Sequence, residues 1–209
     1  MKKTYLTIFI SILAIFFFLW ENSFIYPLRL FLTLIHESFH GLTTLLTGGN
    51  IVSVDLDGVN GKILSSGGFY PLISISGYLG SSLLGAFLIS SKYRNIIIST
   101  ILIYVLFILI AYTKFSFEFF IILGFSLFIF YLIFKGIAVD IIGFVVGSFL
   151  IVSSFEDIRN YLFSIPSQTD SGLLANYFGM PFLTLPISLF MGITSLIFVY
   201  FGMKSFFKT

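Results

Sequence analysis

The feature that most constrains this chain is the length and spacing of its apolar runs. They are roughly 16 to 23 residues long, the length a helix needs to cross a hydrocarbon core of about 30 Å. Short polar breaks separate them. The runs fall at Tyr5 to Trp20, Ile25 to Leu46, Phe69 to Ser90, Ile96 to Tyr112, Phe117 to Phe134, Gly136 to Val152 and Pro181 to Phe201. With 58% of residues hydrophobic and only 10% charged, the composition lies far outside that of a water-soluble domain. The strict alternation of a membrane barrel is absent. The expected fold is therefore an all-α polytopic membrane protein, a bundle of about 6 to 7 transmembrane helices. At Lys135 and Gly136 a single basic residue divides two apolar runs, so a re-entrant or tilted segment is the alternative there.

Two stretches do not read as spans. In residues 50–66, "NIVSVDLDGVNGKILSS", β-branched residues alternate on either side of a turn-rich centre, the pattern of a β-hairpin. Residues 153–180 form a polar connection in which "EDIRNYLF" suits a short interfacial helix ended by Pro166. The basic, apolar start resembles a signal peptide. However, "LWENS" lacks the small residues of a cleavage site, and the segment reads as a retained first span. Lys2 and Lys3 favour a cytoplasmic N-terminus, but that would place Lys92 and Arg94 outside, so the basic residues leave the orientation open. No internal repeat or domain-separating linker interrupts the chain, and residues 1–209 read as one transmembrane domain. A net charge of +2 with scattered basic residues implies no nucleic-acid partner.

The chemistry concentrates in the second run, "LIHESFHGLTTLLTGG". Positions four apart lie on one face of a helix, so His36 and His40 can point their imidazoles at a common site, with Glu37 beside it. In a His-Glu-x-x-His arrangement the imidazoles hold a zinc ion and the glutamate takes a proton from the attacking water. The chain has only two histidines, and a chance placement four apart with a glutamate after the first is on the order of 10⁻⁴. Burying these three groups unpaired in an apolar helix costs on the order of a few kcal/mol, which a metal ion would offset. A packed polar cluster or an ion pathway explains the same residues less economically.

A catalytic zinc takes three protein ligands and keeps one position open. The chain contains no cysteine, which also excludes thiolate nucleophiles and disulfides, so the third ligand should be a carboxylate. Glu21 and Glu118 sit at span ends, Asp55 and Asp57 in the hairpin, Asp140 in an apolar run, Glu156 and Asp157 in the polar connection, and Asp170 just before the last span. The residues alone leave this choice open, with Asp57, Asp140 and Asp170 as the candidates.

Three further segments follow the metal motif in order: the hairpin, "ISGYLGSSLLGAFL" and "TDSGLLANYFGMP". Together the set resembles the small bacterial membrane zinc peptidases related to the site-2 proteases. The specific matches are Gly77, Tyr78, Ser82, Leu83, Leu84 and Gly85, and then Asp170 leading to Leu174, Ala175, Gly179 and Pro181. The resemblance implies that Asp170 is the remaining zinc ligand and that the hairpin edge pairs with an unwound substrate; the residues alone fit a hairpin packed as a lid equally well. It also implies a multi-pass protein of a bacterial membrane acting on other membrane proteins. The sequence shows no soluble recognition domain, so selection by helix instability or by an adaptor is expected, and any regulator is unknown. Asp170 is followed by "SGLLA", where the family often carries a second acid. Leu56, Asp57 and Gly58 match the aspartate motif of the wider class but fall in the hairpin, where Asp-Gly is ordinary turn chemistry.

Gly48 and Gly49 close the metal helix, while Gly77, Gly80, Ser81, Ser82 and Gly85 give the third span a face suited to close helix packing. Tyr78 on that span is read as hydrogen-bonding a neighbour. The expected activity is that of an intramembrane zinc endopeptidase, with Glu37 as base and His36, His40 and Asp170 as ligands. Two competing readings are a non-catalytic metal-binding scaffold and a proton- or ion-coupled transporter using His36, Glu37 and Asp140.

Overall fold

The computed structural model describes residues 2–20, 22–58, 60–137, 139–154 and 169–208. Eight helices and one hairpin make up the described residues: α1 (Lys2–Phe18), α2 (Tyr26–Leu46), β1 (Asn50–Asp57), β2 (Asn60–Ser66), α3 (Tyr70–Ser90), α4 (Arg94–Tyr112), α5 (Phe117–Phe134), α6 (Val139–Ser153), α7 (Asp170–Tyr177) and α8 (Thr184–Lys208). Glu21, Glu156, Asp157 and the interfacial helix expected in "EDIRNYLF" up to Pro166 lie outside the described residues.

A helix occupies each of the seven apolar runs, but the expected number of crossings needs correction. Among the described residues four helices are long and apolar enough to span a membrane, at Tyr70–Ser90, Arg94–Tyr112, Phe117–Phe134 and Pro181–Phe207. The shortfall has physical reasons. α1 and α6 have only 17 and 15 residues, below the usual span of about 20, and α2 carries Arg29, His36, Glu37 and His40 among its apolar residues. Lys135 and Gly136 separate two distinct helices, α5 and α6.

Local signals explain the boundaries. Pro residues at the first helical positions open α2 and α3, where a missing N–H costs nothing. Ser116 caps α5 by accepting from the amide of Phe119. At the end of α2, Gly48 has φ +83° and the amide of Gly49 donates to the carbonyl of Thr44, the closure that satisfies a helix's last carbonyls. β1 and β2 pair antiparallel, with Asp57 opposite Asn60 across a two-residue turn that begins at Gly58. Its φ of +59° is what the tight hairpin turn requires.

The interior is aliphatic, with Leu30, Leu34, Ile35, Leu102, Ile108, Leu109, Ile122 and Leu150 fully buried. Outward faces are equally apolar: Ile103, Phe107 and Ile110 on α4, and Phe120, Leu127 and Phe128 on α5, are exposed. Contact with water would make such faces an aggregation liability, whereas lipid accepts them at no cost. α3 is the central packing element. A Cβ on its Gly85 would lie 2.5 Å from the carbonyl oxygen of Gly147 on α6, and its Ser82 accepts from Ser195 of α8. Small residues thus bring backbones close without relying on hydrophobic driving force.

Arg94 ties the far end of α3 to its neighbours. Its guanidinium donates to the carbonyls of Leu88 and Ile89 and to Asp140 of α6. The acid within the sixth apolar run therefore has its partner.

Candidate metal centre

α2, α3, α7 and the hairpin bring the expected residues to one place. His36 and His40 are one helical turn apart, and their ring centroids are separated by 4.7 Å. Their Nε2 atoms are 3.0 Å apart. Oδ2 of Asp170 lies 3.0 Å from Nε2 of His36 and 3.2 Å from Nε2 of His40. Asp170 is the first residue of α7. Thr169 caps that helix by accepting from the amide of Gly172, and Ser171 hydrogen-bonds Ser188 of α8 at 2.6 Å, which docks the short helix against the long one.

The protonation pattern follows from the partners. Nδ1 of His40 meets the carbonyl oxygen of Ile73 on α3. A carbonyl can only accept, so that nitrogen carries the proton and Nε2 of the neutral ring presents a lone pair. This lone pair faces a carboxylate oxygen and a second imidazole nitrogen. An anion and two imidazoles therefore converge.

The donor set fits zinc. Zn²⁺ binds imidazole nitrogen and carboxylate oxygen at about 2.0–2.2 Å, and tetrahedral geometry then separates ligand atoms by about 3.3 Å. The observed triangle, with edges of 3.0, 3.0 and 3.2 Å, is close to that size. Its floor is Gly77, where an added Cβ would lie 2.5 Å from Nε2 of each histidine. Only glycine leaves room for both rings against α3.

Glu37 adjoins the cluster: donor atoms of His36, Glu37 and His40 lie within 4.8 Å of one another. Its side chain is buried, and Oε2 accepts a 2.9 Å hydrogen bond from the amide of Ile63 in β2. A Cβ on Gly61 would sit 2.8 Å from Cγ of Glu37, so β2 lies directly over the glutamate. Because the Ile63 amide points at Glu37, the edge of β2 away from β1 faces the site.

The other carboxylates go elsewhere. Asp57 closes the hairpin tip opposite Asn60, Asp140 is bound to Arg94, and Asp55 lies 4.0 Å from Lys114. Glu118 accepts from the hydroxyl of Tyr26. Among the described residues, Asp170 is the one carboxylate with an oxygen within 3.2 Å of Nε2 of both histidines.

Several supporting groups had no sequence signal. The amide of Ile63 and the carbonyl of Ile73 act through backbone atoms, which residue identity does not advertise. Ser76, whose hydroxyl donates to the Ile73 carbonyl at 2.6 Å beside His40, is one more small polar residue on a span rich in them. Tyr78, by contrast, is marked in the sequence, and it sets its ring edge against His36 with centroids 4.3 Å apart.

A family model described as Peptidase M50B-like matches residues 9–202. No curated protein and no solved structure matches the chain.

Proposed function

This chain belongs to the Peptidase M50B-like family, and from that premise we propose that it is an intramembrane zinc endopeptidase. It hydrolyses peptide bonds in or near the transmembrane segments of other membrane proteins, and residues 1–209 work as one multi-pass unit in a bacterial membrane. The observation that carries this reading is the convergence of Asp170 on His36 and His40 beside Glu37.

His36, His40 and Asp170 would hold the ion. When bound, zinc supplies Lewis acidity, which makes water acidic near neutral pH and polarises a peptide carbonyl. Ile73 keeps His40 in the tautomer that offers Nε2. Glu37 takes the proton of the attacking water as the carbon–oxygen bond forms, then delivers it to the amine nitrogen as the carbon–nitrogen bond breaks. The Ile63 amide fixes the Glu37 carboxylate through Oε2 and leaves its other oxygen for proton transfer. The edge of β2 that faces the site offers the main-chain groups not used by Glu37 to an extended substrate segment. A helical substrate must unwind to use it, so segments with weak helices are preferred, alone or when presented by an adaptor.

A purely structural metal site would need the ligands but no base, and the buried, hydrogen-bonded Glu37 favours catalysis over a scaffold. A relay through His36, Glu37 and Asp140 is disfavoured because Asp140 is engaged by Arg94.

The test uses purified protein in liposomes with single-span reporter segments, weakened by Gly or Pro and flanked by a dye pair. Glu37→Gln should keep its zinc and lose cleavage by about 10²–10⁴-fold. Equal cleavage by this variant and the wild type would refute the proposal.

A further inference from the structure

Away from the metal centre, an open groove of about 510 Å³ lies where the start of α4, the end of α5 and the start of α6 meet. Its mouth carries Lys92 and Asp140. Asn95, Ser99 and Thr100 follow on α4, with Ile96 and Ile103 on the same lining face. Asn95 to Ile103 covers about 12 Å of helix axis, a descent from the end of a span-length helix toward the hydrocarbon.

The polar side chains here are accessible and open to a ligand. Among the described residues, Lys92, Asn95, Ser99 and Thr100 have no hydrogen-bond or ion-pair partner. Several helical hydroxyls elsewhere close on a carbonyl four residues back, as Thr44 does on His40 and Ser148 on Phe144. Asp140 gives one oxygen to Arg94, yet its side chain is 71% exposed and its second oxygen is open. The groove thus offers a cation and an anion at its mouth, hydroxyl donors below them, and an aliphatic wall beside Ile96 and Ile103, both more than half exposed.

We propose that this groove binds one glycerophospholipid whose headgroup carries both a phosphate and a primary ammonium. The phosphate pairs with Lys92 and the ammonium with the open oxygen of Asp140. Ester carbonyls accept from Ser99 and Thr100, and an acyl chain runs on past Ile103, with Ile96 flanking the glycerol region. From Lys92 through Ser99 and Thr100 to Ile103, the groups follow the order of phosphate, esters and acyl chain in such a lipid. A free phosphate ion would use only the mouth, and a partner helix, with its backbone groups already paired, would leave the hydroxyls and charges unmatched.

The test is native mass spectrometry of the full chain in detergent with phosphatidylethanolamine, phosphatidylcholine or phosphatidylglycerol added. One phosphatidylethanolamine should remain bound per chain, about tenfold tighter than phosphatidylcholine, whose quaternary ammonium cannot donate a hydrogen bond, or phosphatidylglycerol, which has no ammonium. Lys92→Gln combined with Ser99→Ala and Thr100→Val should weaken retention by about tenfold or more at unchanged Tm. A photoactivatable phosphatidylethanolamine on the wild type, which requires no variant, should label residues 92–103. Equal affinity for the three lipids, unchanged retention in the variant, labelling spread over all helices, or equally tight binding of water-soluble glycerophosphoethanolamine would each overturn the proposal.

Discussion

Oδ2 of Asp170 lies 3.0 Å from Nε2 of His36, although 134 positions separate the two residues. No local periodicity produces such a contact. It exists because Thr169 starts α7 and Ser171 pins that helix to α8. Replacing Asp170 with Ala should lower zinc affinity by about 100-fold or more, since even a residue that only supports a ligand is worth 10–100-fold. Asp57→Ala and Asp140→Ala should leave the affinity at the wild-type value. Competition with a chromophoric chelator measures all three.

Metal removal should destabilise the fold at this point. Zinc binds the folded arrangement and not the separated ligands, so free metal at about 100 times Kd adds about 2.7 kcal/mol. A chelator should therefore lower the Tm of the wild type in detergent and leave that of Asp170→Ala nearly unchanged. Equal responses of the two proteins would show that zinc does not join α7 to α2.

Gly77→Ala places a Cβ 2.5 Å from Nε2 of both histidines, which forces the rings out of their present positions. Zinc affinity should fall by about 10–100-fold. Gly80→Ala, also on α3, instead meets the ring of Phe39 on α2. It should lower Tm while zinc affinity is retained, and the pair separates helix packing from metal geometry.

Ser171 and Ser188 are both fully buried and hydrogen-bonded at 2.6 Å. Ser171→Ala removes a partner from a buried hydroxyl and should cost about 1–3 kcal/mol of stability. The double variant with Ser188→Ala should recover part of that loss. Denaturant unfolding in mixed micelles measures the difference.

How much of this was legible in the sequence depended on the distance over which each signal acts. His36, Glu37 and His40 are visible because one helical turn brings them together, and Asp57-Gly58 between alternating residues marks a hairpin for an equally local reason. Asp170 could be chosen from three candidate acids only through resemblance, because its approach to His36 depends on the docking of α7 and α8. Asp140 could be recognised as an acid in need of a partner, but Arg94, 46 positions away, is joined to it by the packing of α3, α4 and α6. The apolar pattern located each long helix without setting its reach. α1 and α6 follow the expected runs and still fall short of span length, and α2 trades apolarity for the residues of the site. Backbone groups such as the Ile63 amide and the Ile73 carbonyl carry no identity in the sequence at all.

The central claim is that His36, His40 and Asp170 together hold one zinc ion. X-ray absorption on the purified, zinc-loaded chain tests it most directly, when run beside elemental analysis and the Asp170→Ala variant. The account predicts one zinc per chain, two imidazole nitrogens and one carboxylate oxygen at about 2.0–2.2 Å, and loss of the carboxylate contribution in the variant. Substoichiometric metal in the wild type, or an identical spectrum and zinc content in Asp170→Ala, would contradict it.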